Sequence, residues 1–131
     1  MIVDTSAIVA ILRNEPEAEV FADAIIAAEI RRVSAVSYVE AAAVIEGGRN
    51  PIASRRFDDF FREASFTMEV VTVVQAKIAR EAYKDYGKGS GHPAQLNFGD
   101  CFAYALSKSM SEPILFKGRD FGQTDILTAG A

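Results

Sequence analysis

Histidine and cysteine occur once each in the 131 residues, as His92 and Cys101. A single cysteine excludes an internal disulfide framework and suits a reducing cytoplasm. A single histidine excludes catalysis by a histidine pair. Cys101 has no histidine to activate it and reads as a small buried hydrophobe. His92 lies in a Gly/Pro loop and reads as an exposed loop residue. No phosphate loop of the Walker type occurs: Gly87-Lys88-Gly89-Ser90-Gly91 has the glycines but lacks the terminal Gly-Lys-Ser/Thr and a preceding strand. No basic segment leads the N-terminus, and Asp4 and Arg13 interrupt an apolar stretch too short to span a bilayer, so no membrane segment is expected.

Half the residues are hydrophobic, as in an ordinary globular protein, and the length suits one domain over residues 1–131 with a sizeable core. Net charge is −4, which taken alone argues against a nucleic-acid partner. Setting aside the four acids discussed below leaves as many acids as the 14 Lys and Arg, so charge placement matters more than the total.

Strands and helices alternate. Residues 2–4 read as a strand, followed by a helical face of Thr5, Ala7, Ile8, Ile11 and Leu12. Pro16 is placed to start a second helix, running to about Ala28. A short strand is expected over 30–35. Ser37 opens a third helix through Ile45, closed by Gly47-Gly48, and Pro51 starts a fourth. The β-branched run 69–74 is the clearest strand by composition. A fifth helix follows to about Tyr86, and a sixth opens at Asn97 and ends near Met110. The strand 114–116 and a short element at 125–127 complete the chain. This order implies crossovers and a largely parallel sheet, an α/β fold.

Four acids fall at strand-to-helix junctions: Asp4, Glu40, Asp100 and Asp120. Each has an individual structural explanation. Asp4 can cap the first helix. Glu40, three residues after Ser37, matches a capping box. Asp100 sits in a first helical turn, where the dipole favours an acid. Asp120 can pair with Arg119 at the surface. None of these explains why all four meet the same kind of junction, where a parallel sheet gathers them at its carboxyl edge. Four converging carboxylates repel one another, and a bound cation removes the penalty. Oxygen ligands without a His or Cys cluster point to Mg²⁺ or Mn²⁺.

The words Ile2-Val3-Asp4-Thr5-Ser6-Ala7, Ser37-Tyr38-Val39-Glu40, Leu96-Asn97-Phe98-Gly99-Asp100-Cys101 and Leu115-Phe116-Lys117-Gly118-Arg119-Asp120-Phe121, in this order, resemble the PIN-domain ribonucleases and, among them, the VapC-like toxins. The resemblance spans the chain. It implies a PIN-like three-layer α/β/α fold with a central, mostly parallel sheet. It implies an acidic quartet of Asp4, Glu40, Asp100 and Asp120, a supporting Ser6 hydroxyl, and metal-dependent endonucleolytic cleavage of RNA. Asp125 stands close to the last acid. The implied partners are a small VapB-like antitoxin whose tail covers the cleft and a second copy in a homodimer.

On this reading Asp4, Asp100 and Asp120 hold Mg²⁺, for which Mn²⁺ can substitute, and Glu40 holds a second ion or orients the attacking water. Lys117 and Arg119, beside the metal, and Lys88 are candidate RNA contacts. Lys77, Arg80 and Lys84 form a stripe on the fifth helix that is either a phosphate track or a solvated face with Glu81 and Asp85. Phe57, Phe60 and Phe61 are expected in the core. Two other classes compete. One is a phosphohydrolase for small phosphate esters, although phosphatases with an aspartyl nucleophile place a second Asp where this chain has Ser6. The other is a PIN-like module that binds RNA without cutting it.

Overall fold

The computed structural model describes residues 1–130. Four strands, β1 (Ile2–Val3), β2 (Arg32–Ser34), β3 (Thr67–Glu69) and β4 (Ile114–Leu115), form one parallel sheet in the order β3-β2-β1-β4. Parallel neighbours need crossover connections. These are α1 (Thr5–Leu12) and α2 (Ala18–Ala27), then α3 (Ala35–Glu46) and α4 (Pro51–Glu63), then α5 (Val73–Tyr86) and α6 (Phe98–Met110).

The strands are very short, so packing rather than the hydrogen-bond ladder holds the sheet. Alternation sends successive side chains to opposite faces. Ile2 and its register partner Ile114 pack with Ala79 and Ala82 of α5 and with Ala103 and Leu106 of α6. Val3 and its partner Leu115 pack with Ile8, Phe21, Ala41 and Phe57, from α1 to α4. In β1 and β4 one residue facing each way thus ties the sheet to a helical layer on either side, giving three α/β/α layers. Each fully buried aliphatic side chain contributes roughly 1.5–3 kcal/mol, and Ile2, Val3 and Ile114 are completely buried.

Several boundaries differ from those expected. The β-branched run 69–74 is mostly not strand. Pairing stops at Glu69 because its partner β2 ends at Ser34. Thr72 then caps α5, its hydroxyl accepting from the Gln75 amide at 3.1 Å, which makes Val73 and Val74 exposed helical residues. The third helix is capped by Ser34, not Ser37. Ser37 lies inside the helix with its hydroxyl buried and unpartnered, so Glu40 belongs to no capping box. Pro16 precedes the second helix rather than starting it. The amide of Glu15 reaches back to the Ala10 carbonyl, and Ala18 is the first helical residue. In place of an element at 125–127, Thr128 bridges to Ile114 at the sheet edge.

Phe57 is buried, with ring centroids 5.4 Å from Tyr38 and 4.8 Å from Phe61, while Phe60 and Phe61 are half-buried. Phe57→Ala should lower unfolding stability in urea by about 3–5 kcal/mol. Ile52→Ala on the exposed face of the same helix should change it by less than about 0.5 kcal/mol.

Candidate active site

The amide of Asp4 still belongs to the sheet, donating to the Leu115 carbonyl at 3.0 Å, while its carboxylate caps α1. The side chain is buried at 2% exposure. Its Oδ2 accepts from the Ser6 amide at 3.0 Å and the Ser6 hydroxyl at 2.7 Å. Its Oδ1 is buried and accepts nothing. Burial pushes the Asp4 carboxyl up to about 6, against the two Ser6 hydrogen bonds and with help from the Glu40 charge.

Glu40 reaches this corner from the second turn of α3. The Thr5 hydroxyl lies 2.7 Å from its Oε1 and 3.1 Å from the Ser37 carbonyl, tying α1 to α3. The Glu40 carboxylate lies over Gly99, occupying the space that a Cβ there would need. Gly99 is the residue that sequence reasoning missed. A glycine in a helix costs about 1 kcal/mol relative to alanine. Its presence in the first turn of α6 was therefore the available signal of close approach.

Asp100 closes a capping box at the start of α6. Its Oδ2 accepts from the Asn97 amide at 2.9 Å, and the Asn97 side chain accepts from the Asp100 amide at 2.8 Å. Desolvation raises its carboxyl to about 7 despite that bond, and the charges of Asp4, Asp120 and Glu40 push in the same direction. The structure therefore brings the other three sequence-identified acids within electrostatic reach of Asp100, and Glu40 within reach of Asp4. Asp120 is exposed and precedes a short 3₁₀ turn, Phe121–Gln123, with no side-chain capping bond. It is delivered by a turn at Gly118, whose φ of +106° strongly favours glycine. Asp125 is engaged elsewhere: it accepts from the Tyr104 hydroxyl and the Lys108 ammonium, each at 2.6 Å.

The Ser6 hydroxyl donates to Asp4 and accepts from the Lys117 amide at 2.9 Å, joining the first helix to the loop after β4. The Lys117 ammonium turns to Glu15 at 2.9 Å and Glu17 at 3.2 Å, so a phosphate would have to displace both. Lys88 and Arg119 are exposed. His92 is half-buried rather than free: its ring stands edge-on to Tyr86, and its Nδ1 accepts from the Ala94 amide. Cys101 is buried, its thiol raised to about 11 by burial and by Asp100, so it stays protonated and is no nucleophile near neutral pH.

Among the described residues, no three acidic, histidine or cysteine side chains converge, as placed, into a finished ligand set. The chemistry nevertheless fits a hard divalent cation. The acids at this corner offer oxygen only, and the orphaned Asp4 Oδ1 is a buried acceptor that the protein itself leaves without a donor.

The PIN domain family matches residues 1–127, and the chain belongs to that family. Within it, the chain aligns end to end with VapC ribonucleases. Ribonuclease VapC28 of Mycobacterium tuberculosis (strain ATCC 25618 / H37Rv) is 54% identical over 129 residues, covering 98% of this chain and 97% of the relative. Ribonuclease VapC30 of the same strain is 48% identical over 128 residues, again covering 98% and 97%. A solved toxin–antitoxin complex from Klebsiella pneumoniae contains a chain of the same fold, with a TM-score of 0.66 at 16% identity over 92% of this chain and 88% of that one.

The raised carboxyls predict how stability varies with pH. The native state holds its protons on Asp4 to about pH 6 and on Asp100 to about pH 7, whereas the unfolded chain releases them near 3.8. Between those limits the native state binds more protons, so this contribution to stability falls as pH rises and levels off above 7. In chelator, Asp100→Asn should melt higher than the parent at pH 8, and the gain should shrink as the pH is lowered towards 4. Thermal melts across that range check it. Asparagine keeps an oxygen for the Asn97 amide, so the cap is not the variable.

Proposed function

We propose that the chain is a Mg²⁺-dependent endoribonuclease, the toxin of a toxin–antitoxin pair acting in the cytoplasm. The observation that carries the reading is the buried and unpartnered Oδ1 of Asp4, with Glu40, Asp100 and Asp120 brought electrostatically to the same corner. Asp4, Asp100 and Asp120 would hold the ion, with Mn²⁺ able to replace it. When bound, it would reverse the sign of the cleft, polarise a phosphate and make a water-derived hydroxide available near neutral pH.

The protein's own groups set up the rest. Ser6 holds the Asp4 carboxylate with two donors, leaving Oδ1 directed away from them. Thr5 restrains Glu40, which would help hold a second ion or orient the attacking water. Arg119 and Lys88 offer exposed charges to the RNA backbone, and Lys117 can join them only by releasing Glu15 and Glu17. Attack by water would leave a 5′-phosphate and a 3′-hydroxyl, with no use of the RNA 2′-hydroxyl as nucleophile. The PIN family match and the VapC ribonucleases along its whole length favour RNA over small phosphate esters and cleavage over passive binding. The VapC relatives and the toxin–antitoxin complex also support an antitoxin partner, which on this reading is VapB-like and covers the cleft of a homodimeric toxin. Among the described residues no helix is long and apolar enough to cross a membrane.

Purified chain freed of antitoxin should cut cellular RNA at discrete sites with Mg²⁺ or Mn²⁺ and not with chelator, and Asp100→Asn should reduce the rate by about a hundredfold or more. That is the scale reached by losing even the groups behind a metal ligand. Ser6→Ala should cost about 10–100-fold with the fold retained. Cleavage by Asp100→Asn at the parental rate would remove this carboxylate from the site. Gly99→Ala tests the corner differently: it should fold at least as stably as the parent, because alanine is the better helix former. It should still cut RNA roughly tenfold more slowly, because its methyl takes the place of the Glu40 carboxylate. A parental rate would show that Glu40 need not lie there.

A further inference from the structure

Beside the acidic corner, α5 and α6 leave an open groove of about 320 Å³ walled by Ala76, Arg80 and Tyr83 on one side and Phe98 and Phe102 on the other. Phe98 is the first residue of α6 and is 73% exposed, an unusual position for a phenylalanine. It is two residues from Asp100 and adjacent to Gly99, on which Glu40 lies. Its ring meets Phe102 edge-on, with centroids 5.1 Å apart, which fixes one side of the ring and leaves a large part of it to solvent. Tyr83 is also 47% exposed, and Arg80 is exposed on the same wall. Side chains at a helix start lean back toward its N-terminus, the end of α6 that also carries Asp100.

We propose that this groove is a nucleobase subsite, in which Phe98 stacks a base of the single-stranded RNA near the scissile phosphate and Arg80 meets its polar edge or the adjoining backbone. This rests on the ribonuclease reading of the acidic corner and goes beyond it by naming what binds next to that corner. The groove combines the parts that single-strand recognition uses: an exposed aromatic face, a second aromatic in support, and a guanidinium. Its continuity with the acids through Phe98-Gly99-Asp100 favours RNA as occupant over a protein segment. On this proposal a strand whose phosphate lies at Asp100 passes a neighbouring nucleotide over the first turn of α6, where Phe98 is exposed. Cleavage would then depend on the identity of one flanking base and not only on backbone charge.

The test uses short single-stranded RNA bearing 2-aminopurine at successive positions around a mapped cut, with Phe98→Ala, Phe98→Trp and Arg80→Gln. Binding is read by 2-aminopurine quenching in Ca²⁺ or chelator, and cleavage separately in Mg²⁺. At one position next to the cut, quenching should be strong with the parent and with Phe98→Trp and lost with Phe98→Ala. Phe98→Ala should raise KM roughly tenfold, the scale of one lost stacking contact, with kcat little changed. An abasic residue at that position should weaken the parent by the same factor and leave Phe98→Ala unaffected. Arg80→Gln should bind more weakly with a shallower salt dependence.

If Phe98→Ala binds and cuts as the parent does, or if no position is quenched, the subsite is overturned while the acidic corner stands. If Phe98→Ala instead converts an oligomer to a monomer by light scattering, the groove is a protein interface and the subsite is again overturned. If quenching depends on Phe98 while Asp100→Asn cuts the same RNA as fast as the parent, the subsite holds and the acidic-corner reading fails.

Discussion

An ionisable group buried at the end of the central strand is the constraint on which the site is built. Asp4 sits where β1 becomes α1, so it is placed by the sheet through its amide and by the helix through its side chain. Its position is consequently as rigid as the core beneath it. Ser6 and the positive end of α1 stabilise one oxygen, and the other is left without any donor. A protein built only for stability would replace such a group with an apolar one. The retained cost is the physical argument for function, and it applies to Asp100 as well, which is raised further by its acidic neighbours.

The remaining parts hold this corner together through small groups. Thr5 and Ser6 are consecutive residues whose hydroxyls reach in different directions, one to Glu40 on α3 and the other to Asp4 and the loop after β4. Gly99 contributes by having no side chain, which lets Glu40 lie against α6. A hydroxyl, a hydroxyl and a missing methyl thus align three helices around the acids. Bulk apolar packing on the two faces of the sheet holds the elements themselves.

Much of this was legible in the chain. The alternation of apolar runs identified the parallel sheet. The words around Asp4, Glu40, Asp100 and Asp120 pointed to the acids, although only Asp4 stands where a strand passes directly into a helix, Glu40 lying in the second turn of α3 and Asp100 in a helix that follows another helix. What misled was local propensity overruled by tertiary context. Val70 to Val74 is β-branched, but a strand needs a neighbour, and β2 is only three residues long. Ser37 and Glu40 have the spacing of a capping box, yet Ser34, ending β2, is the residue placed to cap. The pairing of Lys117 with Glu15 and Glu17 joins positions about a hundred residues apart and has no local signature. The role of Gly99 depends on a side chain from another helix. It is visible only as an unexplained glycine.

The central strand β1 has one neighbour close in sequence, β2, and one distant, β4. β1 pairs with β4 across more than a hundred residues, and Ser6 reaches the Lys117 amide over the same span. Contacts this distant in sequence form late, because the intervening loop must be closed before they contribute. During synthesis, the corner at Asp4 stays open on one side until the segment through Asp120 has left the ribosome. Asp4 and Asp120 therefore share one corner only after β4 has paired beside β1.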